Sequence, residues 1–272
     1  MLYEKRTGLV LLKQITVPIL SHIELLPGIY QLIVEVPDIA RIAQPGQFVM
    51  VDCGPKLLLN RPFSIHRIED SSKISLLYNI VGKGTRYLSQ RVKGEHIRLI
   101  GPLGNGFTID DGSKQLLLIA GGMGIAPIVF LADRMLSLGK MVRMLFGAST
   151  SSQLYPRHLL PDVDECIAMT EDGTFGVKGI ITDGLYDYIE RSDQIFACGP
   201  LAMYKTIYNM VKSGKLQKRI QVSLEMRMGC GTGICYGCSI KTISGMQTVC
   251  RDGPVFTMDE VLWEEGNYDG SK

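Results

Sequence analysis

Four cysteines near the C-terminal end carry the clearest chemistry in this chain. They stand in Glu225-Met-Arg-Met-Gly-Cys230-Gly-Thr-Gly-Ile-Cys235-Tyr-Gly-Cys238, with Cys250 following in Val249-Cys250-Arg-Asp-Gly-Pro254. The spacing C-x4-C-x2-C with a more distant fourth cysteine is the one that holds a plant-type 2Fe-2S cluster. Two bridged irons need four thiolates on two sides, so three ligands come from one loop wrapped around the cluster. Gly229, Gly231, Gly233 and Gly237 suit such a loop, because glycine reaches positive φ and lets backbone amides approach the sulfurs. The alternatives are a zinc site, disulfides or buried thiols. Zinc usually takes two C-x2-C knuckles or a Cys/His mixture, and seven cysteines is an odd count for a disulfide framework. The residues favour Cys230, Cys235, Cys238 and Cys250 as cluster ligands. Cys53 and Cys166 have no ligand spacing and read as structural, and the four scattered histidines form no metal or triad pattern.

Four further stretches have the composition of nucleotide sites. In Asn60-Arg61-Pro62-Phe63-Ser64 an arginine can hold a pyrophosphate, Phe63 supplies an apolar face and Ser64 can hydrogen-bond a ring nitrogen. Tyr78-Asn79-Ile80 leads into Gly82-Lys-Gly84-Thr85, where a glycine turn opening a helix offers amides to a second phosphate. Gly121-Gly122-Met-Gly124-Ile-Ala-Pro127 is an incomplete dinucleotide fingerprint lying between a strand and a helix. The same glycines also suit tight helix–strand packing. Cys198-Gly199-Pro200 ends another apolar strand, where ligands of parallel sheets bind, although Cys198 equally suits a small buried position.

The elements that position these stretches follow from hydrophobic period. Up to about residue 100, strands are expected over 8–19, 28–36, 47–51, 63–67, 74–80 and 96–100, with one brief helix over 85–91; this is the pattern of a small antiparallel barrel. Beyond the loop Gly101-Pro-Leu-Gly104-Asn-Gly106 the period changes. Strands at 114–120, 141–147, 165–170, 194–197 and 220–224 alternate with helices at 125–138, 153–160, 180–189 and 201–212, giving a doubly wound parallel sheet. The fold class is therefore multidomain β and α/β: a barrel (1–108), an α/β domain (109–222) and a small cluster domain (223–272).

Composition bounds the function. The chain has 272 residues, 46% hydrophobic and 21% charged, with a net charge of +2 that gives no reason to expect nucleic acid. Residues 116–132 carry no charge, but four glycines and prolines within them divide the run into buried strand, turn and helix rather than a membrane span. The start of the chain lacks the small-residue cleavage site of a secretory signal, and free thiols fit a reducing cytoplasm. The tail 267–272 is expected to fray.

Taken in order, Arg61-Pro-Phe-Ser64, the 82–85 turn, Gly101 to Gly106, Gly121 to Pro127 and Cys198-Gly-Pro200 resemble the ferredoxin–NADP reductase superfamily. With Ser223-Leu-Glu-x-Arg-Met-x-Cys230 and Val249-Cys250-Arg-Asp-Gly-Pro-Val-Phe256 added, residues 5–265 resemble the electron-transfer subunits of class 1B dihydroorotate dehydrogenases. That resemblance implies an FAD-binding barrel served by Arg61, Pro62, Phe63, Ser64, Tyr78, Asn79, Ile80, Gly84 and Thr85. It also implies a nicotinamide domain served by Gly121, Gly122, Gly124, Cys198 and Gly199. Many superfamily members have tyrosine where this chain has Phe63. The implied circuit runs from NAD(H) through FAD and the cluster to an FMN-containing catalytic subunit that oxidises dihydroorotate to orotate, with two copies of each subunit. The parts are mutually necessary: a nicotinamide moves two electrons together, a 2Fe-2S cluster moves one, and a flavin converts between them. No catalytic acid or base is expected. NADH is expected over NADPH, because Ala-Ser-Thr-Ser-Ser152 offers hydroxyls and no cation before Arg157. Phe256 or Trp263 could anchor the partner, or together with Val255, Met258, Val261 and Leu262 could simply close the cluster domain. Two alternatives differ in class. One is the small subunit of a flavin-based NADH/ferredoxin or sulfide oxidoreductase, whose members tend to have Asp in place of Cys230. The other is a zinc-stabilised binding module.

Overall fold

The computed structural model describes residues 2–5, 8–11, 14–215 and 218–263. The predicted tail 267–272 lies outside them. Six antiparallel strands close a barrel in the order Gln14–Leu26, Ile29–Glu35, Lys73–Asn79, Arg61–Asp70, Phe48–Val51 and His96–Leu103. The alternation of apolar and polar residues accounts for these strands, whose inward side chains (Leu32, Val34, Val49, Ile65, Leu76, Leu99) form one buried cluster. Gly28 reverses the chain between the first two strands at a positive φ of 75°, and its N–H donates to the Glu24 carboxylate at 2.8 Å.

The first strand differs from the expected 8–19. Gly8–Leu11 pairs with Leu2–Lys5 in a separate hairpin, and the barrel strand begins at Gln14 and runs on to Leu26. The predicted helix over 85–91 lies earlier, at Lys83–Ser89, and Pro37–Ala40 adds a short helix that hydrophobic period did not reveal.

The second body is a seven-stranded sheet ordered Val177–Lys178, Glu165–Thr170, Met141–Ala148, Gln115–Gly121, Gln194–Cys198, Arg219–Ser223 and Val255–Thr257. The pairings are parallel except the last. Residues 116–120 are buried on both faces: Leu116, Leu118 and Ala120 meet helix Ile125–Ser137, while Leu117 and Ile119 meet helices Leu185–Glu190 and Leu201–Met210. Each such leucine stabilises the fold by roughly 1.5–3 kcal/mol. Burial on both faces gives a continuous apolar run instead of an alternating one.

Helix Ile125–Ser137 is sandwiched between this sheet and barrel strand Arg61–Asp70. His66 and Arg67 on that strand bond to the helix at the Ala126 carbonyl and the Asp133 carboxylate. A helix buried on two sides is apolar nearly all round, which explains the uncharged stretch. Among the described residues no helix is long and apolar enough to cross a membrane.

Two expected helices are shorter or absent. Residues 153–160 form only the turns Ser151–Gln153 and Arg157–Leu159, because Pro156 interrupts them. The helix expected over 180–189 begins at Leu185, after Gly184 at φ +71° and the Asp183 carboxylate that accepts the Ile180 N–H. Strand Val255–Thr257, which follows the fourth cysteine, pairs with Arg219–Ser223 and so extends the sheet.

Candidate functional site

The loop from Gly229 to Cys238 folds around its own sulfurs. Cys250 and Cys238 are buried, Cys230 is half-buried and Cys235 is exposed. Backbone amides aim at sulfur throughout: Thr232 and Cys235 N–H donate to Cys230 Sγ at 3.4 and 3.5 Å, Gly233 to Cys250 at 3.1 Å, Gly237 to Cys235 at 3.5 Å and Cys250 to Cys238 at 3.4 Å. Residues 231, 233 and 236 take positive φ to present these groups, including the non-glycine Tyr236 at 57°. A Cβ on Gly229 would stand 3.2 Å from Cys235 Sγ, so glycine keeps the space beside that sulfur open.

The thiols form two neighbouring pairs, Cys230 with Cys235 and Cys238 with Cys250. Among the described residues no three Cys, His, Asp or Glu side chains converge on one ion. Four thiols in two pairs are the donor set that a two-iron cluster takes. Burial pushes the Cys230 thiol up, but the amides of Thr232 and Cys235 outweigh it and bring the group down to about 6. Within the buried pair, the hydrogen bond with Cys250 holds Cys238 low, at about 7, and the same bond raises Cys250. A backbone amide reaches each of the four sulfurs, an arrangement that favours the thiolate, the state that binds iron.

This loop rests on the barrel. A Cβ on Gly231 would come within 2.5 Å of Met50 Cγ, on barrel strand Phe48–Val51. Asn105 straps the other side: its backbone N–H donates to the Gly253 carbonyl at 2.6 Å, and its Nδ2 to the Asp252 and Arg251 carbonyls at 2.9 and 3.2 Å. The predicted loop 101–106 is therefore a clamp on the chain just after Cys250.

A cleft of about 830 Å³ crosses the carboxyl ends of the sheet strands, with Pro27, Gly28, Ile29, Asn79 and Ile80 of the barrel as its opposite wall. Gly121, Gly122, Gly124 and Gly199 all line it. Their reasons differ. Gly122 has φ +54° and open space where a side chain would be, so its backbone faces the cleft freely; a Cβ on Gly124 would overlap the Cys198 carbonyl. Gly124 is therefore required by helix–strand packing as well.

Cys198 does not line the cleft. It is buried behind Gly199 with its thiol directed at the Ser223 carbonyl (3.5 Å), and burial pushes that thiol well up. Tyr204 braces the same corner, donating to the Ser223 carbonyl at 2.6 Å and accepting the Gly199 N–H at 2.9 Å. Glu225, absent from the site residues expected from sequence, lines the cleft beyond Arg219–Ser223. Its side chain is exposed at the cleft by accessible surface, and desolvation by the protein atoms around it pushes its carboxyl up. Its place two residues beyond the end of a sheet strand is the signal that could have found it.

The barrel stretches also converge. The Arg61 side chain crosses the start of helix Lys83–Ser89, where a Cβ on Gly84 would lie 3.3 Å from Arg61 Cγ and Nε. The guanidinium donates to the Leu59 carbonyl at 2.7 Å. Thr85 Oγ1 accepts the Val81 and Gly82 amides at 2.9 and 3.2 Å, so those two amides are engaged within the turn. Pro62 and Ser64 are half-buried opposite Met50 and Phe48. Phe63 is buried, edge-on to Tyr78 at 5.4 Å between centroids. Tyr78 is also buried, and its hydroxyl meets His22 Nε2 at 2.9 Å while His22 Nδ1 meets the Arg91 carbonyl at 2.6 Å. A carbonyl only accepts, so Nδ1 carries the proton and Tyr78 donates to Nε2.

The partner anchors expected from sequence are not on the surface. Phe256 and Trp263 are buried in the core, and the Trp263 indole donates to the Met258 carbonyl at 2.8 Å. The exposed apolar side chains at the cluster end are Ile234, Tyr236, Ile243 and Met246. The first two flank Cys235 in the chain.

Residues 225–262 match the iron-sulfur cluster binding domain of dihydroorotate dehydrogenase B, and residues 118–209 match the oxidoreductase NAD-binding domain. The "Dihydroorotate dehydrogenase B (NAD(+)), electron transfer subunit" of Caldanaerobacter subterraneus is 37% identical over 223 residues, 80% of this chain and 87% of that protein. The protein of the same name from Desulforamulus reducens is 37% identical over 248 residues, covering 88% and 94%. Among solved structures, a chain of the NADH-dependent reduced ferredoxin–NADP oxidoreductase superposes with a TM-score of 0.80 at 28% identity, over 91% of this chain and 90% of that one. A ferredoxin–NADP+ reductase from Neisseria gonorrhoeae, with bound FAD and NADP, shares the fold at TM-score 0.62 and 16% identity, over 74% and 91%.

Proposed function

Because the chain belongs to the family of dihydroorotate dehydrogenase B electron-transfer subunits, we propose that it connects NAD(H) to an FMN-containing catalytic subunit during oxidation of dihydroorotate to orotate. The observation that carries this reading is the succession of three sites: a nucleotide cleft, a barrel wall facing it, and a four-thiol loop resting on that barrel at Met50. FAD bound on the barrel would exchange a two-electron hydride on one side and single electrons on the other.

The chain's own residues bind, orient and shield. Arg61 and the turn at Gly84 and Thr85 would hold the FAD pyrophosphate by charge and backbone amides. Phe63, Tyr78 and Ser64 would bound its ring. Gly121, Gly122 and Gly199 would let the dinucleotide lie against backbone, and Cys198 would support Gly199 from beneath. Cys230, Cys235, Cys238 and Cys250 would ligate the cluster, with the amide-to-sulfur bonds holding charge on the thiolates. The residue ranges 1–108, 109–222 and 223–272 would then divide the labour among flavin, nicotinamide and cluster.

Exposure of Cys235 between Ile234 and Tyr236 supports docking of the partner over this edge. An assembly with two copies of each subunit, working in the cytoplasm, completes the reading. In the test, protein purified without oxygen contains FAD, two irons and two acid-labile sulfides per chain, about what one such cluster needs. It reduces artificial acceptors with NADH and converts orotate only when the FMN subunit is added. Stoichiometric zinc without sulfide, or no coupling in the mixed complex, overturns the reading.

A further inference from the structure

The cleft crosses the carboxyl ends of five neighbouring strands: Glu165–Thr170, Met141–Ala148, Gln115–Gly121, Gln194–Cys198 and Arg219–Ser223. Four strand spacings amount to about 19 Å, enough for an extended dinucleotide with its pyrophosphate at the central glycine turn. The end at Gly199 and Glu225 adjoins strand Val255–Thr257 of the cluster segment, so the redox ring belongs there. The adenosine ribose then falls at the opposite end, against Ser149 and Glu171.

We infer that Glu171 is the residue that selects NAD(H) over its 2′-phosphorylated form, an inference that rests on the nucleotide reading of the cleft proposed above. Glu171 immediately follows strand Glu165–Thr170. Ser149 Oγ donates to its Oε1 at 2.9 Å, which fixes the carboxylate at the cleft wall. A carboxylate has acceptor capacity beyond one hydroxyl, and a ribose 2′-hydroxyl is a donor of matching size. The turn that carries Glu171 is itself held. Ser151 N–H donates to Thr174 Oγ1 at 2.9 Å, and that hydroxyl donates to the Asp172 carboxylate at 2.7 Å.

Charge makes the site selective. Among the described residues lining the cleft, the charged ones are Glu171 and Glu225, with no lysine or arginine. Lys178, a cation close in sequence, lays its stem across Gly173 and does not line the cleft. A 2′-phosphate would therefore meet a carboxylate in place of its usual cation. The absence of Arg and Lys from Ala-Ser-Thr-Ser-Ser152 removes attraction for that phosphate, whereas Glu171 adds repulsion.

The test is calorimetric titration of the holoprotein with NAD+ and with NADP+, alongside kcat/KM for NADH and NADPH. The parent protein binds NAD+ in preference. Glu171→Gln tightens NADP+ roughly tenfold by removing one like charge at short range, and weakens NAD+ a few-fold through the lost ribose bond. Glu171→Lys moves the ratio further in the same direction. An NADP+/NAD+ ratio unchanged in both variants overturns the inference while leaving the cleft as a nucleotide site. A parent protein that binds neither nucleotide removes the cleft reading, and this inference with it.

Discussion

His66 should make the union of the two large bodies acid-labile. It is fully buried between barrel strand Arg61–Asp70, helix Ile125–Ser137 and the segment after strand Met141–Ala148. Nδ1 donates to the Ala126 carbonyl at 3.0 Å, and Nε2 accepts the Tyr155 hydroxyl at 3.0 Å. Both ring nitrogens are thus committed in the neutral form. Burial pushes its pKa from 6.5 down to about 4, offset in part by the bond to Ala126. The folded state disfavours the proton, so between about pH 6.5 and 4 the unfolded chain binds more protons. Stability from this group is therefore full above pH 6.5 and is lost as pH falls towards 4. At 1.36 kcal/mol per unit, the loss between pH 7.5 and 5.0 comes to about 2 kcal/mol. His66→Gln removes the titration and costs roughly 1–3 kcal/mol at pH 7.5 through a strained or missing bond. The assay is anaerobic urea unfolding of holoprotein and variant at both pH values, comparing differences so that carboxylates common to both cancel. Equal pH sensitivity in the two proteins, or an imidazole resonance of His66 titrating near 6.5, would refute the argument.

Two further substitutions probe the cofactor and cleft readings. Arg61→Ala should weaken FAD retention by about 1.5–3 kcal/mol, the worth of a charge-assisted contact, seen as flavin lost on gel filtration; undiminished retention, or FMN as the only extractable flavin, contradicts the assignment. Gly124→Ala places a methyl against the Cys198 carbonyl, and should lower the unfolding midpoint by several degrees, as expected for overpacking worth about 1–3 kcal/mol. A midpoint equal to the parent's would show that the glycine is not needed for packing.

The sequence was most legible where chemistry and period coincide. The four cysteines could be matched to cluster chemistry from spacing alone, and strands Gln115–Gly121, Met141–Ala148, Glu165–Thr170, Gln194–Cys198 and Arg219–Ser223 lie within a residue or two of where their apolar runs placed them, whereas the two-residue edge strand Val177–Lys178 has no such run. Less legible was anything decided by contacts between distant segments. The glycines and proline of the charge-free run over 116–132 already divide it into strand, turn and helix, but why residues 125–132 carry no charge follows only from the helix's place between sheet and barrel. Trp263 and Phe256 are large and apolar near a cluster, which suits a docking anchor as well as a core; Tyr204 and the sheet cover them. Cys198 was visible at a strand end, but its direction, away from the cleft, depends on the Ser223 carbonyl behind it. Glu171 stands outside every motif, and Glu225 belongs to the cluster motif by sequence; both became cleft residues only through the order of the strands they follow.

The proposed circuit requires electrons between nicotinamide and partner to pass through the four-thiol loop. It is tested most directly with Cys235→Ser, which removes the exposed ligand. The variant and the parent are each assembled with the FMN subunit and mixed with NADH and orotate without oxygen. The parent should show flavin reduction, a reduced-cluster EPR signal and formation of dihydroorotate. The variant, lacking iron but retaining FAD, should reduce its flavin with NADH and form no dihydroorotate. Dihydroorotate produced at the parent rate by the iron-free variant would contradict the account.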